Sequence, residues 1–566
     1  MSGLRPRSAS RLTIRSVEPA RPWFPPGRPA LVEVEVEVDR AALVAAHLEL
    51  LDLDRVVGSV SRRLRLRAGR TRRVLRITLP PLVRHGYGLR LTLERAGAAP
   101  TSGTCAVEAL AGWWESPRHA VLTDFGAPKR MAATVRRLAP WHVTVVQFYD
   151  WMYRHYRYAP PRDRTFRDVL GRRVSPAAVR EGVQACHRTG IAALAYGSVY
   201  GAEREYVDAH PAERVFDEAG TPLSLGDTFF LTDLRPGSPW RRRLLREYVG
   251  ACRDFGFDGI HMDTYGEPHH GVAADGTPVR FEDLYPGLIE EAAGRLGSGA
   301  GRRVLFNCVA GYPLDAVAPS PAAALYLELW PPAVRYRDVV AWIDHARRVG
   351  GARAIVVAAY VSALRDTVAV PERRAQAEEA VVLLSSVIMA AGGYHQILAG
   401  GDRALVEGYY PAAARLSRHA ARELQAAWRF GARYLHLVSG PQLLPAPSDG
   451  VELTDSDGRA IPVSSLPEAG RVWLRIARAP TGVRVVNLVD LRNQLDDRWD
   501  APRQRPVPVS GWRLRLAGSP SVLVAMSPWT ASGEPVRLHG EQGTSQGATW
   551  TLPRFRRWLL AVEASS

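Results

Sequence analysis

Eight short apolar runs, separated by stretches with helical periodicity, occupy the middle of this sequence. Alternating buried strands and helices predict parallel strands joined by helical connections. Eight such units over about 310 residues favour a closed (β/α)8 barrel (a TIM barrel) over an open, doubly wound sheet. The runs are Ala120–Phe125, Val143–Phe148, Ile191–Tyr196, Gly259–Asp263, Val304–Val309, Ala324–Leu329, Ala354–Ala359 and Val387–Ala391.

Proline and glycine mark the ends of the predicted helices. Pro176–Thr189 begins after Ser175, a favourable N-cap residue, and ends before Gly190. Proline also opens three further candidates, because its fixed φ angle suits the first helical turn. These candidates are Pro239–Phe255, Pro371–Leu384 and Pro411–Trp428.

The regions on either side show a different pattern, in which apolar and polar residues alternate one by one. Short alternating runs predict half-buried strands and favour antiparallel sandwiches. The pattern changes near Trp113 and returns beyond about Tyr434. We therefore predict an N-terminal β-sandwich over residues 1–112, a barrel over residues 113–433 and a C-terminal β-sandwich over residues 434–566. The alternating runs are Ala30–Val38, Leu64–Arg67, Arg73–Leu79 and Gly88–Leu93 before the barrel, and Val472–Ile476, Val483–Leu488, Trp512–Leu516, Ser521–Val524, Trp550–Leu552 and Leu559–Val562 after it.

The net charge of +17 comes almost entirely from arginine, since Lys129 is the single lysine of the sequence. Such a ratio is typical of a GC-rich genome rather than of a selected binding surface. The densest basic run, Ser61–Arg76, is interpreted as the solvated face of a strand, because arginine alternates with leucine and valine there. A nucleic-acid patch is the alternative, but no accompanying motif supports it, and we predict no nucleic-acid partner.

Four widely spaced cysteines, Cys105, Cys186, Cys252 and Cys308, form no CxxC pair and predict buried free thiols. His269 and His270 are adjacent and have no third ligand nearby in sequence, so no metal site and no cofactor are predicted. The N-terminus lacks the apolar segment of a signal peptide, and no apolar stretch is long enough to span a membrane. A cytoplasmic location without membrane association is the expectation.

Two carboxylates stand at the ends of predicted barrel strands, where the active sites of such barrels form. Asp263 closes the fourth strand and Glu328 the sixth. Either residue alone has a structural alternative, since Asp263 can cap the next segment and Glu328 can form an ion pair. Together they are the pair that hydrolysis of a glycosidic bond requires, one as nucleophile and one as general acid/base. Asp258 and Asp233, by contrast, are interpreted as structural residues.

Aromatic and polar side chains cluster at the same predicted rim. Aromatic faces stack on the apolar faces of sugar rings, and polar groups bond to sugar hydroxyls. Some of these rings have the alternative role of closing the top of the barrel. The predicted substrate-binding residues are Tyr149, Asp150, Trp151, His155, Tyr196, His261, Asn307, Trp330, Tyr360 and His395.

The same segments resemble glycoside hydrolase family 66, which contains dextranases and cycloisomaltooligosaccharide glucanotransferases. The resemblance covers nearly the whole chain and implies an immunoglobulin-like N-terminal domain, a catalytic barrel and a C-terminal β-sandwich. It also implies that Asp263 is the nucleophile, that Glu328 is the acid/base, and that α-1,6-glucan is cleaved with retention. The segments are QFYDWMYRH (147–155), FGFDGIHMDTYG (255–266), LFNCVAGY (305–312), LYLELWP (325–331) and GGYHQIL (392–398).

The sequence departs from the family at three points. Gly401 and Asp402 replace an acidic element that usually follows the histidine of strand eight, and Met152 stands where the family often has histidine. No segment between Ala354 and Tyr434 has room for the carbohydrate-binding module of cyclising members. This last difference favours hydrolysis over cyclisation.

The expected function is therefore a retaining, endo-acting hydrolase of α-1,6-glucosidic bonds, with an α-glucan or oligosaccharide as its partner. A transglycosylase, or a retaining glycosidase acting on another α-glucoside, is the enzymatic alternative. A carbohydrate-binding protein without activity is the non-enzymatic one, although both expected carboxylates are present. The residues alone do not indicate the oligomeric state.

Overall fold

The chain forms a multidomain structure that is rich in β-strands. The computed structural model describes residues 12–297, 301–365, 370–408, 412–440, 443–448, 450–479, 482–518, 522–530, 533–542 and 547–564. Pro411 of the helix candidate Pro411–Trp428 and Ser521 of the strand candidate Ser521–Val524 lie outside these residues. The predicted start of that helix is wrong, because Ala413–Arg415 form a strand and the helix begins at Arg418. Among the described helices, none combines the length and apolarity needed to cross a membrane.

Seven antiparallel strands form the N-terminal region. They build two sheets, with the orders β1-β2-β5 and β4-β3-β6-β7. The predicted alternation is confirmed in β2, where Val32, Val34 and Val36 are buried while the intervening glutamates face outward. The strands are β1 (Leu12–Pro19), β2 (Pro29–Val38), β3 (Ala42–Asp52), β4 (Arg55–Leu66), β5 (Gly69–Thr78), β6 (His85–Glu94) and β7 (Thr101–Ala109).

The arginine-rich segment lies on β4 and β5 as a strand face. Leu64 and Leu66 are buried, and the arginines between and around them are exposed. The outward glutamates of β2 stand opposite this segment, with Glu35 paired in register with Arg72. Opposite charges across neighbouring strands are mildly stabilising. The basic run is therefore partly neutralised by its own sheet.

The central region contains a curled sheet whose first eight strands run parallel in chain order. The strand after them, β16, pairs in parallel with β8, so residues 394–399 contact both ends of the parallel series. The strands are β8 (His119–Leu122), β9 (Val145–Phe148), β10 (Ala192–Ser198), β11 (Gly259–Asp263), β12 (Arg303–Val309), β13 (Leu325–Glu328), β14 (Ile355–Ala358), β15 (Tyr394–Gln396), β16 (Leu398–Ala399), β17 (Arg403–Leu405) and β18 (Ala413–Arg415).

The prediction of the eighth strand at Val387–Ala391 is wrong. Those residues complete the helix Pro371–Ala390, and the strand begins three residues later, at Tyr394. This helix is buried all round in its second half, from Ala377 onward. A helix surrounded by protein has no polar face, so its apolar run cannot be distinguished from a buried strand by periodicity.

Helices connect most of the parallel strands. Two of the predicted connections are confirmed: Pro176–Thr189 has the expected bounds, and the second begins at Pro239 but ends its regular part at Gly250. The helices are α1 (Pro128–Arg136), α2 (Pro176–Thr189), α3 (Arg204–Ala209), α4 (Pro239–Gly250), α5 (Phe281–Leu296), α6 (Leu314–Val317), α7 (Tyr336–Gly350), α8 (Pro371–Ala390), α9 (Arg418–Arg433) and α10 (Leu435–Val438). Short strand pairs in the connecting loops are Phe166–Arg167 with Arg173–Val174, Gly201–Glu203 and Ser224–Leu225 with Phe229–Leu231, and Val215–Phe216 and Pro278–Arg280 with His270–Ala273.

The C-terminal region consists of two further sheets around a shared apolar core. Its strands are mostly antiparallel, and Trp550 and Leu559 are fully buried between the sheets. The strands are Leu444–Ala446, Val451–Thr454, Val463–Ser464, Val472–Arg478, Arg484–Asp490, Arg513–Leu516, Val522–Met526, Val536–His539, Glu541–Gln542, Ala548–Thr551 and Trp558–Ala564.

Buried ion pairs connect the regions. Glu108 at the end of β7 pairs with Arg118, just before β8, and both side chains are almost completely buried. Arg557 of the C-terminal region pairs with Glu379 on α8 and Glu423 on α9. Removing one partner from such a network leaves an uncompensated buried charge, which is strongly destabilising.

Candidate active site

Asp263 and Glu328 lie at the carboxyl ends of β11 and β13, on either side of β12. Asn307 on β12 joins them. Its amide nitrogen Nδ2 donates to Asp263 Oδ1 at 2.8 Å and to Glu328 Oε2 at 2.6 Å. Because neighbouring parallel strands end at one edge of a sheet, the order β11-β12-β13 places the amide between the two carboxylates.

Further donors hold Glu328 in place. The Tyr360 hydroxyl donates to Glu328 Oε1 at 2.9 Å, and the Trp330 side chain also interacts with this carboxyl group. Tyr360 follows β14, so the ring reaches Glu328 from the neighbouring strand. Glu328 is therefore hydrogen-bonded on both of its oxygens.

The two carboxyl groups have raised proton affinities. Burial, followed by the charge of Glu328, raises the pKa of Asp263 to about 7, although hydrogen bonds from Asn307 and Tyr196 oppose the shift. Burial also raises the pKa of Glu328, against hydrogen bonds from Asn307, Tyr360 and Trp330. Two carboxyl groups this close titrate as a pair, and the second proton leaves only with difficulty. The arrangement favours one protonated and one ionised group near neutral pH.

Two small adjoining cavities lie against this pair. The outer one, of about 50 Å³, is lined by five of the ten predicted substrate-binding residues. The inner one, of about 30 Å³, lies against the same two carboxylates. Tyr149, Asp150, His155, Tyr196 and Trp330 line the outer cavity, Asn307, His261 and Tyr360 line the inner one, and Tyr149 lines both.

A charged wall borders the outer cavity. Asp150 has a left-handed backbone conformation, with φ of 47°, which is rare for residues other than glycine and is often found at functional sites. Its carboxylate pairs with Arg172 at 2.9 Å and lies 3.8 Å from His155 Nε2. Glu203 accepts hydrogen bonds from the backbone nitrogen of His155 and contacts its Nδ1 at 3.0 Å. The wall is thus held by ion pairs rather than by packing alone.

Two of the predicted substrate-binding residues lie outside both cavities. Trp151 is only 1% exposed, packs against Phe255 and Phe257, and donates its indole hydrogen to the Tyr196 carbonyl. The His395 side chain points away from the sheet interior and toward α8. Its Nδ1 contacts Ser385 of that helix, and its Nε2 contacts the Ala359 carbonyl. These two side chains therefore do not line the cavities beside the carboxylates, and their role as sugar contacts stays a prediction.

Sequence reasoning missed several lining residues that a stricter use of strand alternation identifies. Gln147, Tyr326 and Gln396 face the inner cavity. Gln147 stands two residues before Tyr149, and Tyr326 two before Glu328, so each points to the same side as its partner. Leu225, Phe229, Thr264, Tyr265, Val309 and Gly408 also line the outer cavity. Several of these lie in loops whose course no periodicity predicts.

The segment after β17 contributes an acidic residue that the sequence analysis did not identify. Asp402 pairs with Arg415 on an exposed surface, whereas Glu407 lies close enough to raise the pKa of Glu328 through its charge. Glu407 also pairs with Arg365. The next residue, Gly408, lies directly against Glu328 and Tyr360.

The other polar residues considered from the sequence have structural partners. Asp258 accepts a hydrogen bond from the Ala193 backbone nitrogen and contacts His187 at 2.9 Å. Asp233 forms a bidentate pair with Arg235. The four cysteines are buried free thiols, as predicted.

One group of potential metal ligands, Asp52, His85 and His436, lies between the N-terminal region and α10. The two imidazole rings are stacked 3.7 Å apart with an angle of 8° between their planes. A metal ion bound by both rings has to lie in both ring planes, which parallel rings do not allow. Among the described residues, this contact is therefore an interface between regions rather than a formed metal site.

The fold and the carboxylate pair define the chain as a glycoside hydrolase, and comparison with known proteins gives the family. The model of glycosyl hydrolase family 66 matches residues 24–561, so the chain belongs to this family. A cycloisomaltooligosaccharide glucanotransferase of Niallia circulans is 25% identical over 342 residues, which cover 56% of this chain and 35% of that protein. A dextranase of Streptococcus salivarius is 23% identical over 364 residues, covering 56% of this chain and 44% of the dextranase.

A solved structure extends the comparison to the whole chain. It is the crystal structure of a Paenibacillus sp. cycloisomaltooligosaccharide glucanotransferase complexed with cycloisomaltoheptaose. The TM-score is 0.86 at 18% sequence identity, and the superposition covers 97% of this chain and 99% of the other. The two proteins therefore share their fold throughout, while the matches to the two sequence relatives span less than half of each of those proteins.

Proposed function

We propose that this protein is a retaining, endo-acting glycoside hydrolase that cleaves α-1,6-glucosidic bonds of dextran or isomaltooligosaccharides. The observation that carries the proposal is the pair of carboxyl groups, Glu328 buried and Asp263 half-buried, bonded to one amide nitrogen. The names of the relatives, a dextranase and cycloisomaltooligosaccharide glucanotransferases, support an α-glucan as substrate.

The spacing of the carboxyl groups supports retention. Both Asp263 Oδ1 and Glu328 Oε2 bond to Asn307 Nδ2, so they lie no farther apart than these two bonds laid end to end. Retaining enzymes hold their carboxyl groups ~5–5.5 Å apart, and inverting enzymes ~6.5–9.5 Å apart to leave room for water.

The proposed reaction has two steps. The two carboxyl groups share one proton near neutral pH, and the reactive form is the one in which Glu328 carries it. In this form ionised Asp263 attacks the anomeric carbon while Glu328 gives its proton to the leaving glycosidic oxygen, which forms a glycosyl ester and a new chain end. Glu328, now ionised, removes a proton from water, and the water oxygen displaces Asp263 from the anomeric carbon. The pair thereby returns to its starting protonation state.

The proposed architecture follows the same family. We propose that the curled parallel sheet is a (β/α)8 barrel, since residues 394–399 pair with both β14 and β8. The two N-terminal sheets with their common core support an immunoglobulin-like sandwich over residues 1–112. The two C-terminal sheets support a second sandwich over residues 434–566, which leaves residues 113–433 for the barrel.

Dextran digestion tests the proposal. Falling viscosity with few reducing ends indicates endo cleavage, and proton NMR of the first product reports its anomeric configuration. A fluorinated, activated α-glucoside traps the glycosyl-enzyme, and peptide mapping then identifies the esterified residue. An ester at Asp263 with an α-configured first product is expected; a β-configured product or an ester elsewhere contradicts the proposal. Azide rescue of Glu328→Gly tests the acid/base separately.

A transglycosylase is the second candidate, favoured by the match to a cyclising enzyme over the whole fold. In that case a sugar hydroxyl replaces water in the second step. Chromatography of isomaltooligosaccharide digests separates the two activities, because transfer produces longer or cyclic products and hydrolysis only shorter ones.

A further inference from the structure

We propose that Asn307 is the positioning residue that sets the relation of the two carboxyl groups, and that a buried water molecule links its amide oxygen to His261. This inference rests on the proposed function, in which Asp263 and Glu328 react. It assigns Asn307 and His261 to the support of the catalytic pair rather than to the binding of sugar hydroxyls.

The Asn307 amide carries two hydrogens that can each form a hydrogen bond. An amide nitrogen has two N–H donors, and here one points to Asp263 and the other to Glu328. A reversed amide presents its oxygen to two carboxylates, which is repulsive. The contact therefore works only in one orientation of the side chain, and loss of that orientation removes both hydrogen bonds together.

The oxygen of the same amide has a different environment. Asn307 Oδ1 is buried and has no hydrogen-bond partner among the described residues. A buried carbonyl oxygen without a donor is unfavourable, by about 1–3 kcal/mol. The oxygen belongs to a residue that lines the inner cavity together with Gln147, Tyr326 and Gln396, so polar groups surround this space.

His261 on β11 has a ring hydrogen that can reach this oxygen through water. Gln147 Nε2 lies 3.2 Å from His261 Nδ1, and an amide N–H donated there places the imidazole hydrogen on Nε2. Burial lowers the pKa of His261 to about 3, so the ring is neutral. The resulting Nε2–H donor is buried and, within the described parts of the chain, also lacks a partner. The inner cavity thus contains one unused donor and one unused acceptor.

A water molecule satisfies both atoms. The cavity of about 30 Å³ exceeds the ~10–15 Å³ that one water requires. Such a water accepts the hydrogen of His261 Nε2 and donates to Asn307 Oδ1, and Tyr326 and Gln396 are further partners within the same lining. This series of hydrogen bonds, from Gln147 through His261 and the water to Asn307, then holds the amide in the orientation in which it donates to both carboxyl groups.

A crystal structure at a resolution that shows ordered water tests the link directly. We expect density for a water within hydrogen-bonding distance of both His261 Nε2 and Asn307 Oδ1. A side chain filling the cavity, or a reversed Asn307 amide, overturns the proposal. This measurement does not depend on which sugar is cleaved, so its failure is distinct from failure of the proposed function.

The pH dependence of kcat/KM tests the positioning role, because a purely structural residue does not move it. Asn307→Ala is expected to lower kcat about 100-fold, as small misplacements of catalytic groups do. Since the hydrogen bonds from Asn307 lower the pKa of both carboxyl groups, their loss moves both limbs of the profile to higher pH. Tyr360→Phe is the matched control: of the two carboxyl groups it bonds only to Glu328, so we expect a smaller shift of the profile than in Asn307→Ala. Identical limbs in wild type and Asn307→Ala overturn the proposal.

His261 provides an independent variant away from the carboxylates. His261→Leu removes the donor and is expected to shift both limbs in the same direction as Asn307→Ala, by less. His261→Gln restores an N–H donor and is expected to recover most of the wild-type profile. Equal profiles for the Leu and Gln variants overturn the link. Should the wild type cleave no α-glucan, infrared titration of the carboxyl C=O band in the same variants gives the same comparison.

Discussion

Gly408 lies so close to Glu328 that a β-carbon on residue 408 would stand 2.9 Å from Glu328 Oε1. The same β-carbon would overlap the ring of Tyr360, which donates to that oxygen. Real β-carbons essentially never approach heavy atoms this closely. The backbone after β17 is thus a wall of the site, and only glycine fits at this point.

Gly408→Ala is therefore expected to displace Tyr360 and Glu328 and to lower kcat on dextran by about 10- to 100-fold, and the overlap should also lower the stability by about 1–3 kcal/mol. Gly294→Ala in α5 is the matched control, because open space surrounds that position and alanine favours helices. Steady-state kinetics and thermal unfolding of both variants check this. Wild-type kcat in Gly408→Ala contradicts the assigned contact.

The buried charge of Asp263 is expected to lower the stability of the folded protein at neutral and alkaline pH. Its folded-state pKa of about 7 exceeds the unfolded value of ~3.9, so folding favours the protonated form, and stability falls as pH rises between these values. Asp263→Asn carries no charge and is expected to unfold a few degrees higher than wild type at pH 8. The difference should vanish below about pH 4.

Calorimetric scans of wild type and Asp263→Asn at several pH values measure this effect. An exposed substitution such as Asp457→Asn serves as control, and should leave the unfolding temperature close to that of wild type. A lower unfolding temperature for Asp263→Asn across the whole range is the contrary result. The same variant is expected to lose activity, so stability and function change in opposite directions at this residue.

The ion-pair network around Arg557 is expected to be necessary for the stability of the whole chain. Arg557→Leu leaves Glu379 and Glu423 buried without their common partner, which we expect to cost about 3–5 kcal/mol. Urea unfolding measures the loss. Arg515→Leu breaks the surface pair with Glu452, which is partly exposed to solvent, and should leave the unfolding curve nearly unchanged. Similar unfolding curves for the two variants would show that the burial of an ion pair does not determine how much stability its loss costs.

The fold was largely predictable because its periodicities are strong. Seven of the eight apolar runs coincide with parallel strands, and the alternation of Ala30–Val38 matches a strand with one buried face. The exception is instructive: Val387–Ala391 belongs to a helix that is covered on every side. Apolar composition reports burial, and burial alone does not distinguish a strand from a helix.

The position of Asp263 and Glu328 at one edge of the sheet followed from strand order, whereas contacts between side chains did not. Because the eighth strand was placed at the wrong residues, the sequence could not show which side chains of residues 394–396 face the sheet interior. Gln396 faces it, and His395 does not. The bridging contacts of Asn307 depend on distances between three strands, which no one-dimensional pattern contains. Glu407 and Gly408 belong to a loop, where periodicity is absent.

The two tryptophans near the site show how the structure separates roles that the sequence treats alike. Trp151 is buried among Phe255 and Phe257, whereas Trp330 lines the outer cavity beside Glu328. Trp151→Phe is expected to lower the unfolding temperature and leave KM for dextran unchanged, because it removes packing and one hydrogen bond.

Trp330→Ala is expected to raise KM about 10-fold, since a ring stacked on a sugar contributes about 1.5 kcal/mol, and to leave unfolding nearly unchanged. Trp330→Ala should lower kcat more than Trp330→Phe does. Both variants lose the interaction of the indole with Glu328, but only Trp330→Ala also loses the aromatic ring. Kinetics and thermal unfolding of the three variants check these expectations. If Trp151→Phe raises KM as much as Trp330→Ala does, Trp151 also affects substrate binding, and the assignment of a packing role to Trp151 and a binding role to Trp330 is wrong.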